Sequence, residues 1–341
     1  MPPLTRPLRF AVDLGGTALY LAATFVDRAR LAERGAFDFV TLDDSLGQPA
    51  PGVGRLDALA VLARVAPATD RIGLLPTVTT THTEPFHLST AIATLDWVSR
   101  GRAGWIADVS TTEADARLIG RPPAAPLAEL WREAGEVVDV VTRLFDSWED
   151  DAEIRDVATG RFVDRDKLHY VDFEGAAFSV RGPSIVPRPP QGHPATAVDA
   201  TAPAAREAAA RSADVALVRT DDPDTARTVR AELRERARAH GREPDRLIVL
   251  ASLTVDLDAS ADAVALAELA AGWHTDGAAD GFHFRLTDPD RDLRLLVDGT
   301  VPVLQHRGLV RHFYPGATLR EHLGLPRPAN RYALAREATA R

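Results

Sequence analysis

At 341 residues, with 45% hydrophobic side chains, the chain can bury a full core and is too apolar for extensive disorder. A net charge of −9 with no basic patch argues against nucleic-acid and anionic-membrane surfaces, and the lack of cysteine removes disulfides, thiolate metal sites and cysteine nucleophiles. The N-terminal "MPPLTRPLRFAVDLGG" has neither a long apolar core nor a cleavage pattern, and no apolar run approaches a membrane span, so a soluble cytoplasmic protein is expected.

Short β-rich runs alternate with longer Ala/Leu/Arg/Glu-rich segments. The first four strands are predicted in "RFAVDLG" from Arg9, "FDFVTLDD" from Phe37, "IGLLPTVTTT" from Ile72 and "AGWIADVS" from Ala103. A helix over 24–35 separates the first pair. From Asp150 to Gln191 the chain turns polar and Pro/Gly-rich, with room for one hairpin of "KLHYVDF" and "AAFSV" around an "EG" turn. A connection this long without a helix suggests a functional insertion, expected to lie over the catalytic face. Four more strands follow, in "ATAVDAT" from Ala195, "DVALVRTD" from Asp214, "LIVLASLTVDL" from Leu247 and "GFHFRLTD" from Gly281, with helices over 205–213 and 224–241 among them. Eight strand–helix repeats predict one (β/α)8 TIM barrel over residues 1–341, with segment 150–191 inserted before the fifth strand. An open Rossmann-like sheet is the alternative, and no G-x-G-x-x-G follows the first strand to support it.

In such barrels ligands sit at the C-terminal ends of the strands. Polar residues predicted there are Asp13, Asp43, Asp44, Thr79 to His82, Asp108, Ser110, Asp199, Thr201, Arg219, Ser252, Thr254, His283 and Arg285. Any one of them could simply cap a helix, but the set implies a polar mouth. In "GRAGWIADVS", Ile106 and Asp108 share one face of their strand and should both point inward. Asp108 is then a candidate acid or base beside His82 or His283. The Asp199 stretch "DATAPAAREAAAR" opens a helix where a phosphate could dock, although it lacks the usual glycines or paired serines. No H-x-x-x-H, H-E-x-x-H or G-x-S-x-G occurs, so neither a zinc site nor hydrolase chemistry has local support.

The stretches "LAERGAFDFVTLDDSLG", "EPFHLSTAIATLDWVSRGRAGW", "LFDSWEDDAEIRDVATGRF", "HYVDFEGAAFSVRGPSIVPRPPQGHP" and "LREHLGLPRPANRYA" together resemble the bacterial luciferase-like flavin monooxygenases, nearest the nitrilotriacetate and dibenzothiophene-sulfone branch. The resemblance implies reduced FMN delivered by a separate flavin reductase, dioxygen, a small organic substrate and a homodimer. It matches the family's flavin-side Asp to Asp44 and its Thr-rich third-strand end to Thr79, Thr80 and Thr81. Ile106 stands where the family has Asn, and Val109 and Ser110 where it has a Thr-Ser pair. Leu127 and Trp131 replace a His and a Tyr one helical turn apart, and Ala200, Thr201 and Ala202 replace a Gly-Ser-Ser phosphate turn. On this basis Asp44, Thr80, Thr81, Ser110, Trp131, Thr201 and Ala202 are the expected cofactor contacts, with Trp131 stacking or filling volume. The rewritten contacts leave two other readings open: a related enzyme using a deazaflavin or no cofactor, and a non-catalytic homologue that binds a partner protein.

Overall fold

The computed structural model describes residues 7–15, 19–48, 50, 52–123 and 125–339. All eight expected strands form and close into a parallel barrel. The first half runs β1 (Arg9–Asp13), α1 (Ala22–Arg34), β2 (Phe39–Leu42), α2 (Ala58–Val65), β3 (Gly73–Thr79), α3 (Pro85–Val98), β4 (Gly104–Asp108), a short α4 (Glu113–Leu118) and the long α5 (Leu127–Asp146). Two small hairpins follow, β5 (Glu153–Asp156) with β6 (Arg161–Val163) and β7 (Phe173–Glu174) with β8 (Ser179–Val180). The barrel resumes with β9 (Ala195–Asp199), α6 (Pro203–Ser212), β10 (Val215–Arg219), α7 (Pro223–Ala239), β11 (Ile248–Val255), α8 (Ser260–Thr275) and β12 (Gly281–Leu286). It ends in α9 (Pro289–Leu295), α10 (Val301–His306), α11 (Leu319–Leu323) and α12 (Arg331–Thr339). Among the described residues no helix is long and apolar enough to cross a membrane.

Strand alternation divides the side chains between two cores. Phe10, Val12, Val40, Leu74, Phe282 and Phe284 face outward and pack beneath the helices. Ala11, Phe39, Leu75, Ile106, Ala197, Leu217 and Leu250 fill the barrel, together with Leu319, Leu323 and Leu325. These last three sit on α11 and just beyond it. Leu319 N–H donates to the Gly101 carbonyl at 2.9 Å, at the N-terminal ends of the strands, so α11 plugs that end. The helix starts on a reciprocal cap: the Glu321 N–H donates to Thr318 Oγ1 at 3.3 Å and Glu321 Oε2 accepts from the Thr318 N–H at 2.9 Å. Thr318→Ala is expected to lower stability by about 1 kcal/mol. The urea midpoint checks this, with the mouth at the opposite end unchanged.

The 150–191 segment is not where the sequence reading places it. It follows a helix and precedes a strand, and such connections lie on the face opposite the mouth. Helix α5 carries the chain to that face before the segment begins. Ser184 N–H donates to Ser147 Oγ at 2.9 Å, Arg188 pairs with Asp146 at 2.9 Å, and Gln191 Nε2 donates to Asp96 at 2.6 Å and to the Ala103 carbonyl at 2.8 Å. The β7–β8 hairpin lies along α5, with Val171 and Val180 against Val140 and Leu144 and the Arg143 guanidinium over Phe173. The expected "KLHYVDF"/"AAFSV" hairpin is present only as these two-residue strands, and the β5–β6 hairpin has no counterpart in the sequence reading. The segment clamps the flank and base of the barrel.

Candidate active site

Above the apolar layers, every strand turns polar at its inward C-terminal position. Asp13, Asp43, Thr77, Asp108, Asp199, Arg219, Ser252, His283 and Arg285 line one cavity of about 360 Å³, with Ile106 and Leu217 among its apolar lining. A second cavity of about 340 Å³ adjoins it, sharing Asp44, Ser45 and Thr77 and reaching Thr79, His87 and Leu88.

Four side chains on neighbouring strands are joined by hydrogen bonds. Ser252 and His283 are register partners on β11 and β12, and Ser252 Oγ lies 2.9 Å from His283 Nδ1. His283 Nε2 lies 2.9 Å from Thr41 Oγ1, and Thr41 donates to Asp13 Oδ2 at 3.1 Å. Because Thr41 spends its one proton on Asp13, it accepts from His283 Nε2–H. His283 Nδ1 is then bare and accepts from the Ser252 hydroxyl. Burial, then Arg285 and Arg219, hold the His283 pKa down at about 3, so the ring is neutral at physiological pH. Burial, then the nearby Asp43 carboxylate, push Asp13 up to about 7 against the pull of the Gly15 N–H, Thr41 and Arg285.

Ile106 and Asp108 both face this cavity, as the alternation of β4 requires. Burial raises the Asp108 pKa; Asp199 and Asp43 raise it further, while the Val109 N–H and Arg219 oppose them. Asp199 pairs with Arg219 at 2.7 Å, and Asp43 accepts from Thr77 at 3.2 Å. Asp108 and His283 therefore share one site. His82 does not join them: it lies beyond the end of β3 at φ 63° and is not part of the cavity lining.

The expected cofactor contacts are largely committed to the protein. Asp44 reaches the cavity edge but pairs with Arg55 at 2.6 Å and accepts from the Ala58 N–H at 2.8 Å, at the start of α2. Thr80 donates to the Asp108 carbonyl at 2.9 Å, Thr81 accepts from the Ser110 N–H at 3.1 Å, and Ser110 donates to Asp115 at 2.8 Å. Trp131 is 7% exposed and borders a separate cavity of about 260 Å³ between α5 and α6, with Gly135, Ala204 and Ala208. Thr201 accepts from the Arg219 N–H at 2.8 Å, and Ala202 begins α6 with no side-chain cap. Thr41 and Thr77 are site residues the sequence reading left out, as are Ser45 and Arg55 at the cavity edge. The signal for the two threonines was the i, i+2 spacing from Phe39 to Thr41 to Asp43 and from Leu75 to Thr77.

Reduced FMN, the cofactor implied by the resemblance, carries a phosphate that is dianionic near neutral pH. The Ala200–Thr201–Ala202 turn offers one hydroxyl, which accepts from the Arg219 N–H and has a single proton left to donate, and Pro203 supplies no N–H. The Arg206 guanidinium there is held by Glu232 at 2.6 Å. Around the cavity five carboxylates, Asp13, Asp43, Asp44, Asp108 and Asp199, outnumber the three guanidiniums of Arg55, Arg219 and Arg285. These residues do not fit the phosphate end of FMN. What the mouth presents instead is a ring of acidic and hydrogen-bonded polar side chains.

A family model described as luciferase-like monooxygenase matches residues 10–301. Nitrilotriacetate monooxygenase component A from Aminobacter aminovorans is 28% identical, covering 91% of each chain. One subunit of pristinamycin IIA synthase from Streptomyces pristinaespiralis is 33% identical over 97% of this chain and 99% of its own. A different subunit of that enzyme is 28% identical, over 89% of each chain. In three dimensions the EDTA monooxygenase from Chelativorans sp. BNC1 superposes with a TM-score of 0.84 at 23% identity, covering 94% of this chain and 99% of that one. That likeness carries the fold.

Proposed function

From the premise that this chain belongs to the luciferase-like monooxygenase family, we propose that it is a component of a reduced-flavin, dioxygen-using monooxygenase acting on a small organic substrate, and that a second barrel of the same family, not this one, retains the flavin. A separate flavin reductase supplies the reduced FMN in this reading. The observation that carries it is the missing phosphate cradle at Ala200–Thr201–Ala202, set beside the acidic lining of the mouth. The similarity to two different subunits of pristinamycin IIA synthase supports it, because one enzyme then contains two distinct chains like this one. In this reading the expected homodimer gives way to pairing with a second, different barrel.

Flavin titration tests the reading. The chain alone is expected to leave purification without FMN. A variant with Ala200→Gly, Thr201→Ser and Ala202→Ser should bind FMN at least about tenfold more tightly, since each charge-assisted hydrogen bond is worth roughly 1.5–3 kcal/mol and about 1.4 kcal/mol is a factor of ten. Stoichiometric FMN on the unaltered chain would return it to the role of a self-sufficient flavin-binding oxygenase component.

A further inference from the structure

We propose that Ser252, His283, Thr41 and Asp13 form a proton-transfer chain across four adjacent strands, which takes a proton from, or returns one to, an O–H or N–H group of a small ligand in the mouth. The proposal rests on the mouth being a working site of the monooxygenase component and is independent of which barrel holds the flavin.

Three of the four residues line the cavity, and Thr41 joins them from a fully buried position. The strands β11, β12, β1 and β2 are consecutive around the barrel, so the three links of 2.9, 2.9 and 3.1 Å run along its wall. All lie within hydrogen-bonding range. With Asp13 ionised, each donor already points along the chain. A ligand proton passes to Ser252 Oγ as the Ser252 proton moves to His283 Nδ1. The proton on His283 Nε2 moves to Thr41 Oγ1, and that of Thr41 moves to Asp13. The Ser252 oxygen, the His283 ring and the Thr41 oxygen each give up one bond to hydrogen as they gain another, the ligand ends deprotonated and Asp13 ends protonated. No electrons are transferred.

The histidine exchanges one neutral tautomer for the other and never becomes an imidazolium. A ring that is buried and lies near Arg285 and Arg219, against the weaker opposing pull of Asp199, is poorly basic and can still serve. Asp13, facing Asp43 and Arg285 and accepting from Gly15 and Thr41, titrates where a proton acceptor is useful at neutral pH.

The test is the tautomeric state of His283, read from ring ¹⁵N shifts of flavin-free protein labelled at histidine, across roughly pH 5 to 8. The signal is assigned by its loss in His283→Gln. Below the Asp13 midpoint of about 7, protonated Asp13 donates to Thr41, Thr41 donates to Nε2, and the ring carries its proton on Nδ1. Above that midpoint the proton resides on Nε2. The expected result is a neutral ring that changes tautomer near pH 7, loses the change in Thr41→Val and in Asp13→Asn, and regains it in Thr41→Ser. If Thr41→Val does not fold, Asp13→Asn decides. A wild-type ring that keeps one tautomer, becomes cationic in this range, or still switches in either blocking variant overturns the proposal, as does failure of Thr41→Ser to restore the switch. Flavin titration reads the placement of the flavin separately, so the two can fail independently.

Discussion

Arg102→Ala is expected to destabilise the protein by about 4 kcal/mol, a large part of the roughly 5–15 kcal/mol that keeps a domain folded. Arg102 is 3% exposed, and among the described residues it forms no ion pair, the Glu33 and Asp70 carboxylates acting on it without contact. Its guanidinium instead donates to the carbonyls of Ser99 at 2.8 Å, Ile72 at 2.7 Å, Ala66 at 2.7 Å and Thr69 at 2.9 Å, and to Thr69 Oγ1 at 3.0 Å. Hydrogen bonds from a charged donor are worth roughly 1.5–3 kcal/mol each, and each buried acceptor left unmet costs about 1–3 kcal/mol. The five share one side chain and do not add, which keeps the net cost near the lower single-site extremes. Lysine carries the same charge on three donors and cannot span this set, so Arg102→Lys should recover less than half of the loss. Urea midpoints of the three proteins check both statements; a loss under about 1 kcal/mol for alanine would show that water replaces the guanidinium. The consequence reaches the mouth. Arg102 ties the turn before β4 to the segment entering β3, and its own carbonyl accepts from Leu74 N–H at 2.9 Å. A slip of β4 by one residue would turn Ile106 and Asp108 out of the barrel together.

That parity is also why so much of the architecture was legible in the sequence. Alternation in "RFAVD", "FVTL" and "GWIAD" marks which residues face inward, and the last inward residue of each strand is where a closed barrel meets solvent. Asp13, Asp108, Asp199, Ser252 and His283 could thus be placed at one mouth without any contact being known. The 150–191 segment was misplaced because its composition signals an insertion but not a face. The face follows from the order helix-then-strand, which sends it to the base beside Asp96 and Asp146. Hydrogen-bond commitments were hidden for a different reason. Thr80, Thr81 and Ser110 have the chemistry of ligand contacts, yet their partners are a backbone carbonyl, a backbone N–H and Asp115. Such local pairings depend on loop geometry, which residue type does not specify. Trp131 likewise reads as a flavin neighbour until the rotation of α5 is known; it faces the groove toward α6.

At pH 8, Asp13→Asn should make the protein more stable than the wild type, by roughly 4 kcal/mol or about 6 °C in Tm, and at pH 4 the difference should nearly vanish. The sign follows from linkage. Asp13 has a pKa raised from 3.8 to about 7 in the folded state, by burial first and Asp43 second. Between those values the folded protein binds a proton that the unfolded chain has released, so stability falls as pH rises through this window and the penalty is complete above pH 7. Asn carries no charge and removes the penalty. Its Oδ1 can keep the Gly15 N–H bond that Asp13 makes at 2.7 Å, and its amide donates toward Thr41, as a protonated Asp13 would. Thermal melts of both proteins at the two pH values measure this; equal Tm at pH 8 would mean that the ionised carboxylate is fully solvated from the cavity. Asp96, raised to about 6 by its burial, adds a slope of the same sign to both proteins and cancels in the comparison. A carboxylate whose ionisation weakens the fold at neutral pH, on a strand end that any neutral residue of similar shape could occupy, is a cost a purely structural position has no reason to carry. The Asp13→Asn protein would have the more stable barrel but would hold His283 in a single tautomer, ending its capacity to pass a proton from Ser252.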